Sequence, residues 1–261
     1  MNRCFASPPL VMDFSGVYAD APLLPERPFT RLDCRAFMGT DCYCDADGTA
    51  ALRHALAPFP PHGLHFLDSG NYHYVTAFWL EKIDTPFNLV VFDHHPDTQP
   101  PAWGDSILSC GGWIAYVART NPHVQSILVA GPPTEAIDGV DAPLRQRIFF
   151  LDEATLKDDP ARFQTAFDAL PPVPVYLSID KDVLDPAEVS VNWDQGTVGW
   201  DTLRTRLDAL AAHRTLLGVD VCGEPAPGQR DAQDEPAIVG SVRVNSRLAA
   251  WTAHLCRATC G

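Results

Sequence analysis

The sequence predicts a three-layer α/β domain built on a parallel sheet of about eight strands. Two features lead to this fold. Short β-rich runs recur eight times along the 261 residues, and helix-like stretches separate them. Several of the runs are almost continuously apolar and end in Asp. A strand with one wet face alternates, whereas a strand covered on both faces does not, and double cover is the signature of a parallel sheet between helical layers.

In chain order the runs are LVMDFS (10–15), TRLDC (30–34), LHFLDS (64–69), NLVVFD (88–93), SILVAG (126–131), RIFFLD (147–152), VYLSID (175–180) and LLGVDV (216–221). DGTAALRHALA (47–57) reads as a helix opening on an Asp N-cap. ARFQTAFDAL (161–170) is a second helix. GWDTLRTRLDALAAH (199–213) is a third, with Leu203, Leu207 and Leu210 along one face and Asp201 near its start. A fourth runs from about Glu235 to Cys256. Proline clusters fall between these elements as loop punctuation. With no internal repeat, low-complexity tract or linker, residues 1–261 read as a single domain.

Charge and composition narrow the function. The chain is 46% hydrophobic and 20% charged, which is globular rather than disordered. A formal net charge of −14 repels phosphate backbones, so nucleic acid is not an expected partner, while a small cationic substrate fits the sign of the field. No apolar run approaches a membrane span and the N-terminus lacks a leader-like segment, so the expected location is cytoplasmic, with no membrane partner. The eight cysteines then read as reduced thiols. Neither Cys42-Tyr43-Cys44 nor Cys256…Cys260 has the paired C-x-x-C spacing of a zinc site.

The chemistry concentrates at the ends of three strands, where ligands of open α/β sheets bind. In FDHHPDTQ (92–99), Asp93, His95 and Asp97 have period 2, and Pro96 biases His95 towards an extended backbone. An extended segment would point these three one way and His94 another. In YLSIDKDVLDP (176–186), Asp180 and Asp182 have the same period. His73 follows the strand at 64–69. Mixed carboxylate and imidazole ligands suit Mn²⁺ or another borderline divalent ion, and four carboxylates with two imidazoles exceed the needs of one tetrahedral ion. They could hold two ions that make a shared water acidic near neutral pH.

With these segments assembled, the sequence resembles the ureohydrolase superfamily, which includes arginase and agmatinase. The family motifs G-G-D-H-S, D-A-H-x-D and S-x-D-x-D-x-x-D-P appear here as Gly70-Asn71-Tyr72-His73-Tyr74, Asp93-His94-His95-Pro96-Asp97 and Ser178 to Pro186. The third match is complete, and the first keeps little beyond Gly70 and His73. The resemblance covers roughly residues 64–224. It implies one Mn²⁺ on His73, Asp93, Asp97 and Asp180, and a second on Asp93, His95, Asp180 and Asp182. It also implies hydrolysis of a C–N bond in a guanidino or amidino compound, with Asp182 relaying a proton to the departing amine. A homo-oligomer is compatible with the family, although nothing in this sequence specifies one.

Four departures bear on the substrate. Thr98-Gln99 stand where an arginase places its substrate-binding Asn, so plain arginine is not the expected substrate. In LSCGGW, Cys110 occupies the place of the proton-shuttle His and is a candidate proton carrier. VAGPPTEAID lacks the family's Arg- and Asp-bearing loop. Gly223 stands where the family has its substrate-facing Glu, which makes neighbouring Glu224 the candidate guanidinium contact. Trp193 and Asp194, in VNWDQGT, are candidates to line the substrate pocket. Two other readings compete: a single-zinc deacetylase-like amidohydrolase, and a non-catalytic metal-binding regulatory protein.

Overall fold

The computed structural model describes residues 5, 7–20, 27–101, 107–225 and 235–258. Ten strands are present among them: β1 (Leu10–Asp13), β2 (Thr30–Asp33), β3 (Tyr43–Cys44), β4 (Leu64–Phe66), β5 (Phe87–Phe92), β6 (Leu108–Ser109), β7 (Val124–Ala130), β8 (Ile148–Leu151), β9 (Val175–Asp180) and β10 (Leu216–Cys222). Eight form one sheet in the order β2-β1-β4-β10-β9-β5-β7-β8, and every neighbouring pair is parallel. These are the eight runs expected from the sequence.

The two-faced burial is visible residue by residue. Val90 and Phe92 of β5 pack into one core and Leu89 and Val91 into the other. The first core joins the sheet to Phe163 and Phe167, to Leu203, Leu207 and Leu210, and to Val244, Leu248 and Trp251. Those residues lie on the helices Pro160–Asp168, Trp200–His213 and Glu235–Ala258. The second core joins the sheet to Leu52 and Leu56, Phe78 and Trp79, and Ile114 and Val117. Their helices are Ala46–Leu56, Val75–Leu80 and Trp113–Thr120. Truncating one of these buried Leu or Phe side chains to Ala would cost about 2–5 kcal/mol.

Strand order sets the position of the site. From β5 the chain moves outward to β7 and β8, then returns to insert β9 and β10 between β5 and β4. The connection reverses beside β5 and β9, and the crevice beyond their carboxyl ends is where ligands bind in open α/β sheets.

Two local expectations change. The helix at 46–56 is capped by Asp45, whose carboxylate accepts the Gly48 N–H at 2.8 Å, and Asp47 lies in its first turn. Asp45 has the extended backbone that a cap requires. The sequence also gave no sign of the antiparallel pair β3–β6, in which Tyr43 faces Ser109 and Cys44 faces Leu108. Two-residue strands carry too little periodicity to be read.

Candidate metal centre

Three segments meet beyond the carboxyl ends of β5 and β9. Strand β5 stops at Phe92, and the Asp93 carboxylate accepts the His95 N–H at 2.5 Å, which folds the chain into a turn. Asp97 then adopts a left-handed backbone with φ 45°, a conformation Asp tolerates better than most residues. The extended geometry expected for Asp93, His95 and Asp97 is therefore replaced by a tight turn, which still gathers the three side chains into one pocket lining. After β9, Asp180 accepts the Asp182 N–H at 3.0 Å and opens the 3-10 turn Lys181–Val183, which brings Asp182 back to the cluster. His73 ends a second 3-10 turn, Gly70–Tyr72.

His73 Nδ1 lies 3.1 Å from Asp93 Oδ2, 3.3 Å from Asp97 Oδ2 and 3.5 Å from Asp180 Oδ2. His95 Nδ1 lies 2.8 Å from Asp182 Oδ2 and 3.6 Å from Asp93 Oδ1. Two groups with metal-ligand spacing result, His73–Asp93–Asp97 and Asp93–His95–Asp182, and they share Asp93. A third group, His73–Asp180–Cys222, adds a residue that the sequence reading passed over. Cys222 pairs with Asp180 across β10 and β9, and its thiol donates to Asp180 Oδ2 at 3.0 Å. Its signal was the period-2 spacing from Asp220, the same rule that picked out Asp93 and Asp180.

The donor set fits divalent cations. His73 Nδ1 and Asp93 Oδ2 are buried and have no hydrogen-bond partner despite their proximity. Buried polar atoms are almost always satisfied. A separation of 3.1 Å is compatible with two ligands of one divalent ion at distances of about 2.1 Å. Protonation tells the same story. Burial, then the negative Asp93, pushes the Asp97 carboxyl up to about 6. Burial, Asp180 and Asp93 hold Asp182 well above the usual carboxylate range. Burial disfavours charge on His95, yet its bonds to Asp182 and Asp93 raise it to about 12. Despite its burial, Asp93 is by contrast held below the usual carboxylate range by His73 and His95. Metal ligation requires these groups deprotonated, so metal binding at such a cluster would release protons.

Surrounding groups orient the ligands. His73 Nε2 donates to Ser178 Oγ at 2.9 Å, and the Ser178 hydroxyl donates to Asp220 Oδ1 at 2.5 Å. The direction of this chain places the neutral imidazole's lone pair on Nδ1, facing the carboxylates. Trp113 Nε1 donates to Asp97 Oδ2 at 2.7 Å. His94 faces away as expected: its imidazole lies towards Glu153 and only its backbone N–H reaches the cluster, donating to Asp182 Oδ1 at 2.9 Å. Gly223, at φ +90°, lies so close that a Cβ would stand 2.7 Å from Asp180 Oδ1.

Above the cluster is a pocket of about 200 Å³. Asp93, His95, Asp97, Asp180 and Asp182 line its floor, with Cys42, Tyr43, Gln99, Cys110 and Trp193 among its walls. Trp193 is fixed by its Nε1 donating to Asn71 Oδ1 at 2.9 Å and stands edge-on to His95. Cys110 and Trp193 are thus brought to the site. Asp194 is not: it is exposed and outside the pocket lining. Glu224 is also elsewhere. It is buried, its Oε1 lies 2.8 Å from Lys181 Nζ, and it accepts hydrogen bonds from Asn245 and Ser241. The expectation that Glu224 contacts a guanidinium is corrected, because an internal cation already occupies its carboxylate. Nor do Cys42 and Cys44 form a zinc pair: Cys44 is buried against Thr49, and neither belongs to a ligand group among the described residues. Cys260 lies outside the described residues.

Residues 70–244, well over half of the chain, match the model of the Arginase family. The chain belongs to the arginase family. An arginase-family assignment agrees with the parallel eight-stranded sheet and with the place of the cluster on it. An uncharacterized protein of Thermotoga maritima is 36% identical over 169 residues, which are 64% of this chain and 61% of that protein. The chain thus matches somewhat under two thirds of that relative's length. Solved structures share the fold at low identity. A hypothetical agmatinase from Burkholderia thailandensis aligns with TM-score 0.64 and 19% identity, covering 98% of this chain and 88% of its own. Proclavaminate amidino hydrolase from Streptomyces clavuligerus aligns with TM-score 0.65 and 12% identity, covering 98% of each chain. Formimidoylglutamase from Bacillus subtilis aligns with TM-score 0.64 and 12% identity, covering 95% and 86%. No helix among the described residues is long and apolar enough to cross a membrane.

Proposed function

We propose that this arginase-family chain is a hydrolase of a C–N bond in a small guanidino or amidino compound other than arginine, dependent on two divalent ions, Mn²⁺ being the expected metal. The observation that carries the reading is the convergence of His73, Asp93, His95, Asp97, Asp180 and Asp182, from three separate segments, into ligand groups linked through the shared residues His73 and Asp93. His73, Asp93, Asp97 and Asp180 would hold one ion, and Asp93, His95, Asp180 and Asp182 the other. When bound, such a pair supplies Lewis-acid polarisation of the scissile group and a water acidic enough to react near neutral pH.

The chain's own residues do the rest. The Trp193 and Tyr43 rings at the wall restrict the approach of the substrate head group. Asp182, in the pocket lining, is the candidate to relay a proton to the leaving amine. Cys110 is kept as a neutral thiol by its contact with Cys42 and by burial, so it holds its proton and is suited to donate a hydrogen bond rather than to carry a proton. No Lys or Arg lines the pocket among the described residues. An α-carboxylate would therefore find no cationic side chain to pair with, which disfavours arginine.

The test is release of urea, ammonia or amine from a panel of guanidino and amidino compounds by protein loaded with Mn²⁺. Turnover of a compound lacking a carboxylate, with arginine turned over poorly, is the expected result. No turnover of any member would overturn the assignment of reaction. One tightly held zinc per chain would support the deacetylase-like reading instead. The sharing of Asp93 between two ligand groups argues for two ions.

A further inference from the structure

The rim of the pocket carries two cysteines placed for each other. Strands β3 and β6 pair antiparallel, with Tyr43 opposite Ser109. One step further along this ladder, Cys110 N–H donates to Cys42 O at 2.9 Å, so the two cysteines face each other across the last rung. Residues opposed across a hydrogen-bonded antiparallel rung have Cα atoms about 5.5 Å apart. A disulfide spans Cα separations of roughly 4.4–6.8 Å. Both side chains line the metal pocket, both are partly exposed, and each thiol interacts with the other. The other described cysteines are engaged elsewhere: Cys34 donates to Leu32 O, Cys44 contacts Thr49, Cys222 donates to Asp180, and Cys256 packs against a core on the opposite side of the sheet from β3.

We propose that Cys42 and Cys110 are a site of reversible oxidation, forming a disulfide in the lining of the metal pocket that lowers turnover by removing their thiols from it. The oxidant is a low-molecular-weight disulfide of the glutathione class. The Cys42 sulfur attacks one sulfur of the oxidant, forming a mixed disulfide and releasing one small thiol. The Cys110 sulfur then attacks Cys42 in that mixed disulfide, closing the Cys42–Cys110 bond and releasing the second small thiol. Two protein thiols lose two electrons and two protons, and the small disulfide gains both. The same exchange balances with the two sulfurs in the opposite order, and both thiols line the pocket and are partly exposed. The bond removes both thiols from the pocket lining. Neither cysteine belongs to a ligand group, so metal content is independent of the bond. Formation of the disulfide does not depend on the hydrolase assignment.

The experiment uses the full chain, purified with its metals and titrated with oxidised glutathione. Remaining thiols are alkylated and the peptides are mapped by mass spectrometry. The expected result is a peptide containing Cys42 linked to one containing Cys110, lighter by two hydrogens than the reduced pair. The free-thiol count falls by two, metal content is unchanged, and dithiothreitol reverses the change. The Cys42→Ser protein should lose the link and leave Cys110 alkylated. If a substrate is in hand, turnover should fall with the link and return on reduction. Separate glutathione adducts on Cys42 and Cys110, a link to any other cysteine, or no change in thiol count would overturn the proposal. A link that forms and leaves turnover of an established substrate unchanged would overturn its effect on the pocket.

Discussion

Replacing Ser178 by alanine removes the hydroxyl that joins His73 to Asp220. The side chain sits in a fully buried position on β9, accepts from His73 Nε2 at 2.9 Å and donates to Asp220 Oδ1 at 2.5 Å. The neutral hydrogen bond is worth about 1 kcal/mol and the one to the carboxylate about 1.5–3 kcal/mol, so the metal-free protein should lose roughly 2.5–4 kcal/mol of stability. Metal binding should weaken independently of this. The hydroxyl sets which imidazole nitrogen offers its lone pair, and loss of such an outer partner typically weakens a metal site about 10–100-fold. The assay is chelator competition for Mn²⁺ on the wild-type and Ser178→Ala proteins, alongside chemical denaturation of the metal-free forms. Ser178→Thr, which keeps the hydroxyl, should recover much of the affinity. Lost stability with metal affinity within about twofold of wild type, against the tenfold minimum expected of an orienting partner, would refute the reasoning, because the hydroxyl would then be packing alone.

Other outcomes follow from the same geometry. Gly223→Ala should strain a backbone held at φ +90° and drive a methyl against Asp180 and the Lys181 backbone, costing about 1–3 kcal/mol and lowering metal content; melting temperature and metal analysis check this. Lys181→Met leaves Glu224 charged and unpaired in the interior, so urea denaturation should show a loss of about 3–5 kcal/mol, and the double variant Lys181→Met/Glu224→Gln should recover part of it. Because Glu224 lies outside the pocket lining, Glu224→Gln should leave KM unchanged; a large rise in KM would restore it as a substrate contact. Asp152 caps the helix Glu153–Asp158 by accepting the Thr155 N–H, so Asp152→Ala should cost about 1 kcal/mol at neutral pH. Bonds to the Thr155 side chain and backbone lower the Asp152 pKa on folding. Its contribution is therefore present above the unfolded carboxylate value of about 4 and fades as pH falls through the lower folded value. Denaturation midpoints of Asp152→Ala and wild type should converge in that acid window.

The sheet was legible because the strands are buried on both faces, and continuous apolar character survives as a sequence signal. Ligand types were legible for a related reason: polar residues ending apolar runs must emerge at one edge of a parallel sheet. Their detailed path was not. Asp93, His95 and Asp97 reach the cluster through an Asx turn and a left-handed Asp97, and these are local hydrogen-bond choices that spacing does not encode. Glu224 was misjudged because a carboxylate beside the site looks the same in sequence whether it faces a ligand or a buried lysine from the neighbouring strand end. The Cys42–Cys110 approach was hidden because its two halves lie far apart in sequence and meet through a pair of two-residue strands.

Metal analysis of wild type and Asp93→Asn, after loading with Mn²⁺ and removal of excess, tests the central claim most directly. Asp93 is shared by the group containing His73 and Asp97 and the group containing His95 and Asp182. Two ions per wild-type chain, with loss of both in the variant, is the predicted result. A single ion per wild-type chain, or two ions retained without the Asp93 carboxylate, would contradict the account.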